Sequence, residues 1–215
     1  MPILKVFDPS TIHVNAFCLC VGRRNTGKTT LMSHLVRENK KISKTLVFCG
    51  TQDENEQYSK LDDTTVYEGY CPDILDTYIG EQKKSMRTGA DNSVCVVLDN
   101  IEYKDIWKDR CLFTLVRNNR YLRTFVYASS SCVFFIPPVV RSCADYIFLF
   151  KETNKENLER LYRSFGNMFN TFEEFIHVFN ICTETPNGCM VVDNTSNSRD
   201  IFDVFFMYNV SFANL

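Results

Sequence analysis

Apolar and polar positions along this chain fall into two periods. Nearly unbroken apolar runs occupy residues 16–22 (AFCLCVG), 45–49 (TLVFC), 94–98 (VCVVL), 124–128 and 146–150 (YIFLF). Runs this short, rich in β-branched and aromatic residues, read as strands buried on both faces. Between them, apolar residues recur at helical spacing. Residues 28–38 carry Leu31, Met32, Leu35 and Val36 on one side, and residues 74–86 carry Leu75, Tyr78 and Ile79. Residues 106–116, 154–165 and 172–179 read as further helices. The polar stretch 51–63 reads as a loop, 88–92, 186–188 and 194–197 as turns, and Pro137-Pro138 as a break. Short strands near 190–192 and 204–207 complete the pattern, and residues 1–13 form a lead-in.

Strands alternating with helices predict an α/β fold, a three-layer sandwich with a mostly parallel central sheet. At 215 residues, without an internal repeat or low-complexity linker, the chain is expected to form one domain, 1–215, in which 170–215 supplies a last helix and short strands. In such sheets ligands bind beyond the carboxyl ends of the strands. Gly22 and Asp99 both fall at those ends.

Residues 22–29, Gly22-Arg23-Arg24-Asn25-Thr26-Gly27-Lys28-Thr29, match GxxxxGK[ST] at every fixed position. The glycines let successive backbone N–H groups turn inward as an anion nest, and the helix that follows presents its positive end. This is the phosphate loop of a P-loop NTPase, with a strand before it and a helix after it. Lys28 is placed to reach the β- and γ-phosphates of ATP, the Thr29 hydroxyl to ligate Mg²⁺, and Thr30 to complete the cradle. Asp99 ends an apolar strand, where an acid holds the Mg²⁺ side opposite the loop. Asn100 comes next, where many motor ATPases carry a second carboxylate; Asn accepts no proton at neutral pH, so Glu102 or Asp105 is the expected substitute if the chain hydrolyses ATP at speed.

Composition narrows the setting. Apolar residues make up 45% and charged residues 23%, a globular balance, and the 18 Phe predict a Phe-rich core. The formal net charge of −2 gives no global field towards nucleic acid, so any such contact must come from local patches or from several subunits acting together. Ten Cys without a CxxC pair or a signal peptide point to thiols in a reducing, intracellular setting rather than a disulfide scaffold or a zinc ribbon. No apolar run has the length needed to span a bilayer, so membrane insertion is not expected.

Several segments together resemble one family. The phosphate loop stands as VGRRNTGKTTL and is followed by TLVFCGTQDENEQY, VYEG, EQKKSMR and VCVVLDN, then by LVRNNRYLRTFVYASSSCVFFIPPVVRSCADYIFLF. From about Asn15 to Tyr162 this is similar to the DNA-packaging ATPases of large cytoplasmic DNA viruses, the poxvirus type within the FtsK–HerA class. The resemblance implies a RecA/ASCE-like P-loop fold and hydrolysis of ATP to ADP and phosphate. It also implies a homo-oligomeric ring that moves double-stranded DNA without regard to sequence, capsid or portal-like viral partners, and a place in the host cytoplasm, at the viral factory, and in the virion. It assigns Ser131 to a sensor position where Gln is usual, and Arg120 and Arg141 to positions from which an arginine acts on a neighbour's γ-phosphate. Tyr121 stands where His is usual, and Asn100 where a second acid is usual.

Basic residues recur at Arg117, Arg120 and Arg123, and again at Lys83, Lys84 and Arg87. The second group would suit sequence-blind phosphate contacts in a ring, or simply be a solvated charged segment. Two other functions remain open on sequence: a catalytically weakened ATP-binding paralogue, to which Asn100 and Ser131 point, and a small P-loop nucleotide kinase using residues 117–123 as an arginine lid.

Overall fold

A computed structural model describes residues 4–89, 92–100 and 106–211. Eight strands form one sheet: β1 (Phe17–Val21), β2 (Ile42–Cys49), β3 (Thr64–Glu68), β4 (Ser93–Asp99), β5 (Thr124–Ser130), β6 (Tyr146–Phe150), β7 (Gly188–Asp193) and β8 (Phe205–Asn209). Their order is β3-β2-β4-β5-β1-β6-β7-β8. The pairs from β3 to β6 are parallel, and β7 and β8 are added antiparallel. β1 therefore lies inside the sheet, between β5 and β6, and is buried along its whole length.

Helices cover both faces. They are α1 (Lys28–Glu38), α2 (Gln52–Tyr58), α3 (Pro72–Arg87), α4 (Arg110–Asn118), α5 (Pro138–Cys143), α6 (Lys155–Phe165) and α7 (Phe172–Cys182). The period-2 alternation within β1 sorts them. Phe17, Leu19 and Val21 point into a core shared with Leu75 and Ile79 of α3, Leu115 of α4, Val140 of α5, Leu161 of α6 and Phe175 of α7. Cys18 and Cys20 point to the other face, into a core with Leu31, Met32, Leu35 and Val36 of α1 and Tyr58 of α2. Full burial of an apolar side chain is worth about 1.5–3 kcal/mol, so the four α1 residues anchor the helix that follows the phosphate loop. The expected three-layer α/β sandwich is the one observed.

Several details differ from the sequence reading. The segment expected as a loop over 51–63 contains α2, opened by a capping box in which the Thr51 side chain accepts from Glu54 N and Glu54 bonds back to Thr51 N. β3 follows it, half-buried at the sheet edge, where partial exposure leaves no continuous apolar run to read. The helix expected over 106–116 divides at Asp109, whose carboxylate caps α4 by accepting from Leu112 N. Pro138 does not merely break the chain; it starts α5, where its missing N–H costs nothing. The lead-in also packs on the sheet: Phe7 is buried against the rings of Tyr146, Phe148, Phe206 and Tyr208.

Candidate functional site

The site lies at the carboxyl end of β1. As the chain leaves Val21, Gly22 N donates to Ser130 O at 3.1 Å, holding the start of the loop to the end of β5. A Cβ on Gly22 would stand 2.5 Å from Phe150 Cβ, so only glycine fits. Gly27, the N-cap of α1, has φ +104°, and a Cβ there would meet Asn187 Oδ1 at 2.5 Å. Backbone strain and close approach both demand glycine at that point. Asn25 adopts φ 59°, and Thr26 Oγ1 donates to Arg23 O at 2.7 Å, closing the turn. The Lys28 ammonium folds back across the loop, donating to Gly22 O at 2.7 Å and Arg23 O at 2.8 Å. The first N–H groups of α1 have no intrahelical acceptor and lie at the positive end of the helix dipole.

These residues open onto a cavity of about 440 Å³. One wall is the loop side: Arg24, Asn25, Gly27, Lys28, Thr29 and Thr30. The facing wall is Thr51, Glu54 and Gln57 from the β2–α2 segment, with Asp99 and Asn100 at the end of β4. Three of the loop residues, Gly22, Arg23 and Thr26, do not line the cavity. Gly22 lies under the loop, and Arg23 turns away to donate to Thr153 Oγ1 at 2.5 Å.

Asp99 is fully buried, and each of its oxygens is held. Ser129 Oγ on β5 donates to Oδ1 at 2.6 Å, and Tyr58 OH on α2 donates to Oδ2 at 2.9 Å. Ser129 in turn accepts from Asn100 N at 2.8 Å. Burial, and then the Asp99 carboxylate, push the Tyr58 phenol well up, so it stays a donor. The same two causes push the Cys20 thiol up on the floor of the site, with Lys28 opposing. The donors lining the cavity include the Asp99 and Glu54 carboxylates and the threonine hydroxyls, and no cluster of three His, Cys, Asp or Glu side chains is found among the described residues. That set cannot cage a metal alone. It suits Mg²⁺, which keeps waters and takes phosphate oxygens as ligands alongside one or two protein groups.

Glu54 is the other carboxylate on the cavity wall. Its Oε2 accepts from Gly50 N at 3.2 Å and Thr51 N at 3.1 Å. Burial raises its pKa above the ordinary value, the Asp99 charge adds to this, and the hydrogen bonds from Thr51 and Gly50 oppose it. Gly50 is forced to be glycine because a Cβ would lie 2.7 Å from Asn100 O, which brings the end of β2 against the end of β4. Gln57 Nε2 donates to Ser33 Oγ at 2.8 Å and ties α2 to α1.

The structure thus brings Arg24, Asn25, Gly27, Lys28, Thr29, Thr30 and Asp99 around one cavity, with Gly22, Arg23 and Thr26 outside its lining. It sends other candidates elsewhere. Ser131 follows β5, but the serine that meets Asp99 is Ser129, two residues earlier. Arg120 is paired with Asp145, which also accepts from Phe17 N at the start of β1, so Arg120 sits at the amino edge of the sheet, opposite the cavity. Arg141 on α5 donates to Ser164 Oγ on α6 and does not line the cavity. Lys83, Lys84 and Arg87 close α3, just before β4 begins at that same amino edge. Glu102 and Asp105 lie outside the described residues. Sequence reasoning missed Tyr58, Glu54 and Gln57; the T-x-x-E signature at Thr51–Glu54 was the signal that could have revealed α2.

Strand, glycine loop, helix and a strand-ending aspartate across the sheet define a P-loop NTPase. The chain belongs to the AAA domain family, which matches residues 15–137. It is 30% identical over 159 residues to protein 075L of Invertebrate iridescent virus 6 (72% of this chain, 62% of that protein). It is 25% identical over 198 residues to protein 015R of Frog virus 3 (90% and 61%). The chain therefore spans about three fifths of the length of these relatives, 62% and 61%. In fold it is similar to B204, the DNA-packaging ATPase from Sulfolobus Turreted Icosahedral Virus, with a TM-score of 0.65 and 16% identity, covering 91% of this chain and 98% of that one. No described helix is long and apolar enough to cross a membrane.

Proposed function

We propose that this protein hydrolyses ATP and uses the energy to move double-stranded viral DNA into a capsid, working as a homo-oligomeric ring beside capsid or portal-like proteins. The observation that carries the ATPase part is the 440 Å³ cavity with the phosphate loop on one wall and the buried Asp99 on the other. The packaging part is supported by the fold shared with B204 and by relatives encoded in large DNA viruses.

In this reading the backbone N–H groups of residues 22–29 receive the phosphates and Lys28 gives up its loop carbonyls to neutralise them. Thr29 and Asp99 would hold Mg²⁺, which when bound neutralises charge on the transferring phosphoryl group. Tyr58 and Ser129 hold the Asp99 carboxylate in one orientation, so no reorganisation is needed when the nucleotide arrives. Arg120 and Arg141, remote from this chain's own cavity, would act only on a neighbour's nucleotide across a ring interface.

The test is ATP turnover of the purified protein, titrated with duplex DNA, alongside its native mass. The expected result is DNA-stimulated hydrolysis by an oligomer, abolished in Lys28→Ala. Unchanged turnover in that variant contradicts the loop assignment. ATP binding with negligible hydrolysis, with or without DNA, supports instead the weakened paralogue, the reading that Asn100 beside Asp99 favours.

A further inference from the structure

The position after Asp99 is Asn100, which cannot take a proton from water. The cavity nevertheless carries a second carboxylate from a different element. Among the described residues that line it, the acids are Asp99 and Glu54. Asp99 has both oxygens engaged by Ser129 and Tyr58. Glu54 takes both of its amide bonds, from Gly50 N and Thr51 N, on Oε2, so that Oε1 is not held by the backbone amides. The side chain is also well fixed. It sits at the third position of α2, inside the capping box, on a helix tied to α1 through Gln57 and Ser33. The close approach of Gly50 to Asn100 O sets that segment beside the end of β4.

We infer that Glu54, reaching in from α2, is the catalytic carboxylate that orients the attacking water and takes its proton. This rests on the ATPase reading above. In the step assigned to it, the water oxygen bonds to the γ-phosphorus while the bond from that phosphorus to the β,γ-bridging oxygen breaks. The bridging electron pair leaves with ADP, and the water proton passes to Glu54 Oε1 and from there to solvent, so that ATP and water give ADP, phosphate and a proton. The second acid of the site would then come from the strand-to-helix segment after β2 rather than from the residue beside Asp99. A base in this role contributes about 10²–10⁴-fold to the rate.

Glu54→Gln separates this role from a structural one, because Gln also completes a capping box. The full chain and its Glu54→Gln, Glu102→Gln and Lys28→Ala variants are compared for ATP turnover, affinity for a non-hydrolysable ATP analogue, and the identity of nucleotide retained after incubation with ATP. The expected result is a turnover about 10²–10⁴-fold lower in Glu54→Gln, with analogue affinity held within a few-fold and intact triphosphate recovered from the protein. Turnover at the unsubstituted rate in Glu54→Gln, or a loss confined to Glu102→Gln, overturns the inference while leaving the ATPase reading in place. Analogue affinity lost in step with turnover also overturns it, since Glu54 would then only be holding the fold. If Lys28→Ala binds and turns over ATP normally, the ATPase reading fails, and this inference falls with it.

Discussion

Glu54 and Asp99 are carboxylates in one cavity with different surroundings. Asp99 is buried and receives two hydroxyl donors. Glu54 receives two backbone donors, yet burial and the Asp99 charge outweigh them and raise its pKa. The raised value has a consequence for stability. A carboxyl group whose pKa is higher in the folded state favours folding when protonated. That contribution is complete below its unfolded pKa and is lost as pH rises through the folded value. At neutral pH the ionised Glu54 therefore weakens the nucleotide-free fold, and Glu54→Gln is expected to melt higher than the unsubstituted chain. The difference should close as pH falls into the ordinary carboxylate range, where both side chains are neutral. Thermal unfolding of both proteins without nucleotide, across that range, checks the sign. A variant less stable at neutral pH would mean that the amide bonds from Gly50 and Thr51, and not burial, dominate at this residue.

At the scale of elements, α2 matters more than its length suggests. It has seven residues, and it delivers Glu54, Gln57 and Tyr58 to the site. A helix this short is not stable alone. It depends on its Thr51 cap, on burial of Tyr58 and on the Gln57–Ser33 bond. Thr51→Ala is expected to cost about 0.5–2 kcal/mol, seen as a lower midpoint in denaturant and as faster hydrogen exchange over 52–58. The same element shows where sequence reading stops. The apolar runs of β1, β4, β5 and β6 are legible because both faces of those strands are buried, and the phosphate loop is legible because its spacing is a local requirement. Among the described side chains of α2 only Tyr58 is buried, and its sequence, QDENEQY, carries no helical apolar stripe. Ser129 reaches Asp99 only because β5 is the neighbour of β4, and Arg120 pairs with Asp145 across 25 positions. Such pairings follow from strand order, which no local pattern encodes.

For the whole molecule, the sheet order places the loop between β5 and β6, with β4 one strand further out. The carboxyl ends of β1, β2 and β4 thereby deliver the loop, Glu54 and Asp99 to one cavity, and the end of β5 sets Ser129 against Asp99. The basic residues Lys83, Lys84, Arg87 and Arg120 fall at the opposite edge. The proposed activity requires the cavity to be a magnesium–nucleotide site. A crystal structure with Mg²⁺ and a non-hydrolysable ATP analogue tests this directly. It is predicted to show the triphosphate along the backbone of residues 22–29, Lys28 Nζ moved from the loop carbonyls to the phosphates, and the ion between Thr29 and Asp99. A nucleotide bound elsewhere, or a loop that stays closed on Lys28 at saturating analogue, would contradict it.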